Sequence, residues 1–213
     1  MKHKIYILDE HPVVIEGLKK VLDGLDDIEI VGYSGNEEVA IAEINKLKPA
    51  VLILDFNIKD RNGIDGIKNL KQACPGVLLL IFSMHDENAY AERCLRAGAM
   101  GYMMKSEPGN RIALAIRQVL SGGFFFSANL LSSIVTGGSL RGTSARGEPG
   151  RLLSDRQLEI FEMVGRGMDS HGIAEKLTLS SKTVDAHKAN IRQKLGLDSA
   201  RELLMEAVRW VEK

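Results

Sequence analysis

Up to Gly122 the chain alternates short apolar runs with longer stretches whose apolar positions recur every three or four residues. Residues 4–8, 50–54 and 77–82 are almost continuously apolar, and residues 28–33 and 101–104 are weaker runs of the same kind. Runs this short predict strands. Their near-continuous hydrophobicity implies burial on both faces, which means a parallel sheet covered by helices. The intervening stretches fit that cover. Val13, Val14, Leu18, Val21 and Leu22 fall at helical spacing, as do Val39, Ile41, Ala42, Ile44 and Leu47, and then Ile64, Ile67 and Leu70. Strand followed by helix, repeated, predicts an α/β domain: a doubly wound, five-stranded parallel sheet. In such sheets ligands bind at the carboxyl ends of the strands.

The pattern breaks at Gly122-Gly123. Residues 1–123 read as the first domain, and residues 124–150 as a linker with a short helix near 128–135. Residues 136–150 are glycine-rich and end in Glu148-Pro149-Gly150; no core can be built from them. Residues 151–213 read as a separate all-α domain of four short helices. Ser154 with Gln157 and Ser199 with Glu202 have capping-box spacing. Asp169 and Ser180 are N-cap candidates for helices near 169–176 and 181–195.

Charge changes the picture little at first. Lys+Arg 28 equals Asp+Glu 28, which excludes a strongly basic wrapper of nucleic acid and an acidic disordered chain. The longest apolar run, 77–82, is far short of the ~20 residues a membrane span needs, and the start of the chain lacks a secretory pattern. A cytoplasmic protein with no membrane partner is expected, with Cys74 and Cys94 as reduced thiols.

The acidic residues are more telling. Asp9 and Glu10 end the first strand and Asp55 the third, so three carboxylates should meet at one edge of the sheet. Like charges that close need a cation among them, and a hard, oxygen-liganded ion such as Mg2+ suits them. Ser83 ends the fourth strand and Lys105 follows the fifth. A carboxylate nucleophile, a divalent cation, a hydroxyl and an ammonium make a phosphoryl-transfer site.

These residues resemble a receiver domain of two-component signalling, the CheY-like fold. The resemblance rests on Asp9-Glu10-His11-Pro12, Asp55 followed by Gly63, Ser83, Ala97-Gly98-Ala99, and Gly101-Tyr102 before Lys105. It implies that Asp55 accepts the phosphoryl group from a sensor histidine kinase. It implies that Asp9, Glu10, Asp55 and the backbone carbonyl of Asn57 hold Mg2+, and that Ser83 and Lys105 contact the phosphoryl group. Tyr102 would be the aromatic that turns inward when Ser83 moves. Lys59 and Phe56 depart from the family pattern in the loop after Asp55, which bears on phosphoryl lifetime. His11 is read as a surface or capping residue, and His85 as one that shapes its loop.

The second domain hides a local basic patch. Residues 182–194 carry Lys182, Lys188, Arg192 and Lys194 against Asp185 alone. A helix of this size fits the major groove, with basic groups along it meeting phosphates. The order Leu153-Ser154, Glu159, Gly167, Ile173-Ala174, Leu179-Ser180, Lys182-Thr183-Val184, His187, Ile191 and Lys194-Leu195-Gly196 resembles the LuxR-type helix-turn-helix. With the receiver in front, the whole chain is similar to NarL/FixJ-type response regulators. That resemblance implies base reading by Asp185, Ala186 and Ala189, and phosphate contacts from Lys182, Thr183, Lys188, Asn190 and Lys194, with His187 partly structural. Asp185 departs from a residue that is often Lys or polar, and Gly172 from an acid. Leu203, Val208 and Trp210 on the last helix are candidates for a dimer contact on double-stranded DNA. A homodimer formed on activation is thus expected, with phosphorylation shifting the domain arrangement. Two alternatives stay open. One is a regulator that needs no phosphate. The other is an Asp-nucleophile phosphatase, against which Asn57 stands where that class wants a second acid; a turnover enzyme is not expected.

Overall fold

The computed structural model describes residues 2–57, 63–135 and 149–212. Lys59 and most of the glycine-rich stretch lie outside them. Two compact units form, Met1–Arg141 and Gly142–Lys213.

The first unit is the expected doubly wound α/β domain. Its strands are β1 (His3–Leu8), β2 (Ile28–Ser34), β3 (Val51–Asp55), β4 (Leu78–Ser83) and β5 (Gly101–Met104). They form one five-stranded sheet in the order β2-β1-β3-β4-β5, every neighbouring pair parallel. Between and after them run α1 (Pro12–Leu22), α2 (Glu37–Leu47), α3 (Gly63–Ala73), α4 (Glu87–Ala97) and α5 (Arg111–Leu120). Side chains alternate across a strand. Ile5, Ile7, Val51, Ile53, Leu80 and Phe82 therefore share one core with Ile15 and Leu18 of α1 and Ile112, Ile116 and Val119 of α5. The alternate residues Tyr6, Leu8, Leu52, Leu54, Leu79 and Ile81 are equally buried and face the other layer, where the Tyr6 hydroxyl donates to Glu43 of α2 at 2.6 Å. Burial on both faces is the reason the sequence runs apolar without a break.

The segment after α5 differs from the expected linker. Phe125 is buried and continues the sheet: the Tyr102 N–H donates to the Phe125 carbonyl at 2.8 Å and the Phe125 N–H to the Met100 carbonyl at 3.0 Å. The pairing covers the open edge of β5, which would otherwise expose unpaired backbone groups. α6 (Ala128–Val135) follows, anchored through Leu130 and through the Ser127 N–H, which donates to Glu87 of α4 at 2.6 Å.

The second unit holds α7 (Pro149–Leu152), α8 (Asp155–Gly165), α9 (Ser170–Leu177), α10 (Ser181–Leu195) and α11 (Ala200–Val211). The helical turn of α7 was not anticipated. Its Pro149, expected in the linker, is buried. The caps form as their spacing predicts, Asp169 accepting from the Gly172 N–H at 2.8 Å and Ser180 from the Thr183 N–H at 3.0 Å. The Ser154–Gln157 box is complete. The Ser199–Glu202 box is only half made, because the Glu202 carboxylate accepts from the Asp198 N–H instead. α8 packs against α11 through Gly165: a Cβ there would sit 2.7 Å from the Ala207 carbonyl carbon and 3.1 Å from Val211.

Gly165→Ala is expected to destabilise this unit by roughly 1–3 kcal/mol through overpacking, outweighing the gain of up to about 1 kcal/mol in helix propensity. The sole tryptophan, Trp210, lies in α11. A lower urea midpoint in its fluorescence is the readout.

Candidate functional site

Two of the five strands end in a residue that enters one pocket, and residues just past two others complete it. Asp9 follows β1, Asp55 closes β3, Ser83 closes β4 and Lys105 follows β5. The strand order places β1 beside β3 at the point where the connections reverse direction, the place where such sheets leave a crevice at their carboxyl edge.

Asp9, Asp55 and Ser83 are all buried. The Lys105 ammonium lies between the two carboxylates, 2.7 Å from Asp9 Oδ2 and 3.1 Å from Asp55 Oδ1. It is held there by its own backbone, whose N–H donates to the Ser83 carbonyl at 2.7 Å. Burial pushes the Asp55 carboxyl above its ordinary range; the Asp9 charge adds to this, and Lys105 opposes it without reversing it. Asp55 Oδ2 is buried with no hydrogen-bond partner, and so is Glu10 Oε2. Two orphaned carboxylate oxygens beside a buried Asp9 fit a hard, oxygen-liganded cation.

The cluster adds one member to the sequence reading. Ligand atoms of Asp9, His11 and Asp55 lie within 4.8 Å of one another, and Glu10 is not in that group. His11, read as a surface or capping residue, is largely exposed, yet its Nδ1 is 2.9 Å from Asp9 Oδ1 and 3.7 Å from Asp55 Oδ2. It caps the start of α1 without a side-chain bond to that helix. An imidazole enters a crowd of carboxylates more readily than a third carboxylate does. The i, i+2 spacing from Asp9 across the strand–helix turn was the available signal.

Around the pocket the loops are tied together. The Ser83 hydroxyl accepts from the His85 N–H at 3.0 Å, and the His85 ring meets the Asn57 side chain at 2.9 Å. His85 also stacks edge-on against Phe56 and lies 5.0 Å from the Tyr90 ring centre, so it does shape its loop. Gly63 lets the start of α3 approach this layer: a Cβ there would meet the Phe56 ring at 2.6 Å. The Tyr102 ring lies inward, 2% exposed, with its hydroxyl donating to the His85 carbonyl at 2.9 Å.

In the second unit, α10 presents the expected face. Val184 and Ile191 are fully buried, while Lys182, Thr183, Asp185, Ala186, Ala189 and Asn190 are exposed on its other sides. Two assumed contacts are already engaged within the domain. Lys194 donates to Gln157 at 2.7 Å and Lys188 to Ser170 at 2.8 Å. His187 is half-buried, its Nδ1 enclosed without a partner. Ser170 and Gln157 were missed as functional neighbours because they lie 18 and 37 residues from the lysines they meet, and no local pattern encodes such contacts. The dimer candidates differ in burial, Val208 and Trp210 being half-buried. Leu203 is in the domain core, and Trp210 stacks toward Phe161 with its indole N–H directed to Glu162 at 3.4 Å. The exposed large apolar residues of α11 are Leu204 and Met205.

Comparison with known proteins agrees with both halves. Residues 5–117 match the response regulator receiver domain. Residues 151–207 match the bacterial regulatory proteins of the luxR family. The oxygen regulatory protein NreC of Staphylococcus aureus is 35% identical over 210 residues, covering 97% of each chain. Among solved structures, the RcsB response regulator of Salmonella typhimurium is similar at TM-score 0.75 and 25% identity over 99% of each chain. RcsB of Salmonella enterica serovar Typhimurium, bound to a promoter in the presence of the phosphomimetic BeF3-, is similar at TM-score 0.73 and 26% identity, covering 97% of this chain and 98% of that one. This chain therefore belongs to the response regulators that join a receiver domain to a LuxR-type helix-turn-helix, and it is a transcription-regulating member of that family.

Proposed function

We propose that Asp55 accepts a phosphoryl group from a sensor histidine kinase and that this event controls sequence-specific binding of α10 to promoter DNA. The observation that carries the reading is the Lys105 ammonium seated between Asp9 and Asp55. Asp55 Oδ2, buried and without a hydrogen-bond partner, attacks phosphorus. The bond from phosphorus to the donor breaks, and the donor leaves with its electron pair. The product is an acyl phosphate on Asp55. Lys105 balances charge on the transferred oxygens, and the Ser83 hydroxyl donates to one of them once it gives up its loop contact. Asp9, Glu10, Asp55 and the Asn57 carbonyl would hold Mg2+, with His11 at the rim. The ion supplies charge neutralisation between the incoming phosphoryl group and the carboxylates.

The receiver spans 1–123 with β5's covering segment attached, and 151–213 is the DNA-binding domain. The switch works on Ser83, Tyr102 and α4, as a shift between two populated arrangements. On DNA, Lys182, Thr183 and Asn190 meet phosphates, and Asp185, Ala186 and Ala189 face base edges. A homodimer on paired half-sites would use Leu204 and Met205 of α11, next to Val208. The chain works in the cytoplasm, and no described helix is long and apolar enough to cross a membrane.

Intact mass after treatment with Mg2+ and a small acyl phosphate is expected to show one phosphoryl group on the wild type and none on Asp55→Asn; an unmodified wild type, with the cognate kinase also failing, overturns the reading. The raised Asp55 pKa gives a second outcome. A carboxyl raised in the fold costs stability wherever it is ionised. The cost begins as pH rises through the ordinary carboxylate value and is complete above the raised one. In chelator, Asp55→Asn is therefore expected to melt above the wild type at neutral pH, with the gap closing as pH falls below about 4. Lys182→Ala is expected to weaken binding on every duplex and to lower the slope of log affinity against log salt by ~1. A loss confined to some sequences would assign it to base reading.

A further inference from the structure

Asp185 poses a physical problem on the helix read as facing DNA. An acid held against a polyanion is repelled, and an unrestrained carboxylate must be ordered before it accepts a bond from a base. Two contacts address both difficulties. The Ser170 hydroxyl, at the start of α9, donates to Asp185 Oδ1 at 2.6 Å. The Lys188 ammonium, one turn further along α10, donates to the same hydroxyl oxygen at 2.8 Å. The order is ammonium, hydroxyl, carboxylate, each hydrogen bond pointing the same way along the chain of three. Both ends are charge-assisted, the stronger class of hydrogen bond.

We propose that Ser170 is a positioning residue for base readout. It fixes the Asp185 carboxylate and brings the Lys188 charge beside it, so that one oxygen is held and the other is left to accept from a base edge. The proposal rests on α10 being the DNA-reading helix. Asp185 and Lys188 are three apart on α10 and could approach one another unaided, but a direct pair would leave the carboxylate free to turn. The hydroxyl from a different helix removes that freedom. The chemistry it prepares is acceptance from an exocyclic amino group in the major groove, the cytosine N4 amine being the natural partner of an acid there. Lys188 thereby acts on sequence preference through Asp185 as well as on phosphate.

The full-length chain, phosphorylated with Mg2+ and a small acyl phosphate, is first used to enrich duplexes from a randomised pool. Affinities of wild type, Asp185→Ala, Ser170→Ala and Ser170→Thr are then measured on the preferred duplex and its single-base variants at several salt concentrations. Ser170→Ala is expected to relax preference at the base pair that Asp185→Ala relaxes. The expected loss is about three- to tenfold, the range that ordering one side chain supports, with the salt slope unchanged; Ser170→Thr keeps the hydroxyl and the preference. Asp169, the cap of α9, is untouched, and equal melting temperatures verify the fold. Ser170→Ala with preference intact, or with an equal loss on all duplexes, overturns the proposal. So does an Asp185→Ala variant with wild-type preference, although DNA binding itself then stands. Failure of the wild type to enrich any sequence overturns the DNA reading of α10 directly, before any variant is compared.

Discussion

Two carboxylates held at adjacent strand ends under burial are the constraint on which the receiver half depends. Asp9 and Asp55 are nearly inaccessible, where the cost of bringing charges out of water is large. The ammonium of Lys105 makes their proximity tolerable, and it does so incompletely, since Asp55 remains raised. A buried pair kept at that cost has a use for the unspent charge. The rest of the fold serves this placement. Lys105 reaches across β4 to Asp55 and Asp9 because β5 lies outside β4 and because its backbone is pinned to Ser83. Fully buried strands fix the register, so that the chemical residues all arrive at one edge.

The same edge leads outward. β5 carries Tyr102, and the backbone of Tyr102 is bonded to Phe125. α4 begins next to the pocket loop, and its Glu87 holds the Ser127 N–H. Burial pushes the Glu87 carboxyl up, while its bonds to Ser127 pull the other way. The chain leaving the receiver is thus fastened to the two elements nearest the pocket. A purely compositional reading placed it in a linker, because Phe124-Phe125-Phe126 between two glycine-rich stretches has no period. Its pairing partner, the open edge of β5, exists only once the sheet is assembled.

The helical domain is built from local rules to an unusual degree. Its caps and the boundaries of α10 follow from residues within four positions of each other. What its surface offers is another matter. Lysines that look alike in sequence have different duties: Lys182 is exposed, Lys188 is engaged by Ser170, and Lys194 by Gln157. Leu203 and Leu204 are neighbours, one in the core and one outside, because a helix turns about 100° per residue.

The sequence by itself determined the α/β class, the five strands, the helix-turn-helix, and the identity of Asp9, Asp55, Ser83 and Lys105. Each is encoded by hydrophobic period, by capping chemistry or by position at a strand end, and these act over a few residues. Only the tertiary structure decided that His11 stands with the two aspartates, that Tyr102 is turned inward, that Phe125 belongs to the sheet, and that Ser170 holds Asp185. Those outcomes depend on distances between segments remote in the chain, set by packing and by the balance of charges in a buried space. No local pattern of residues carries that information.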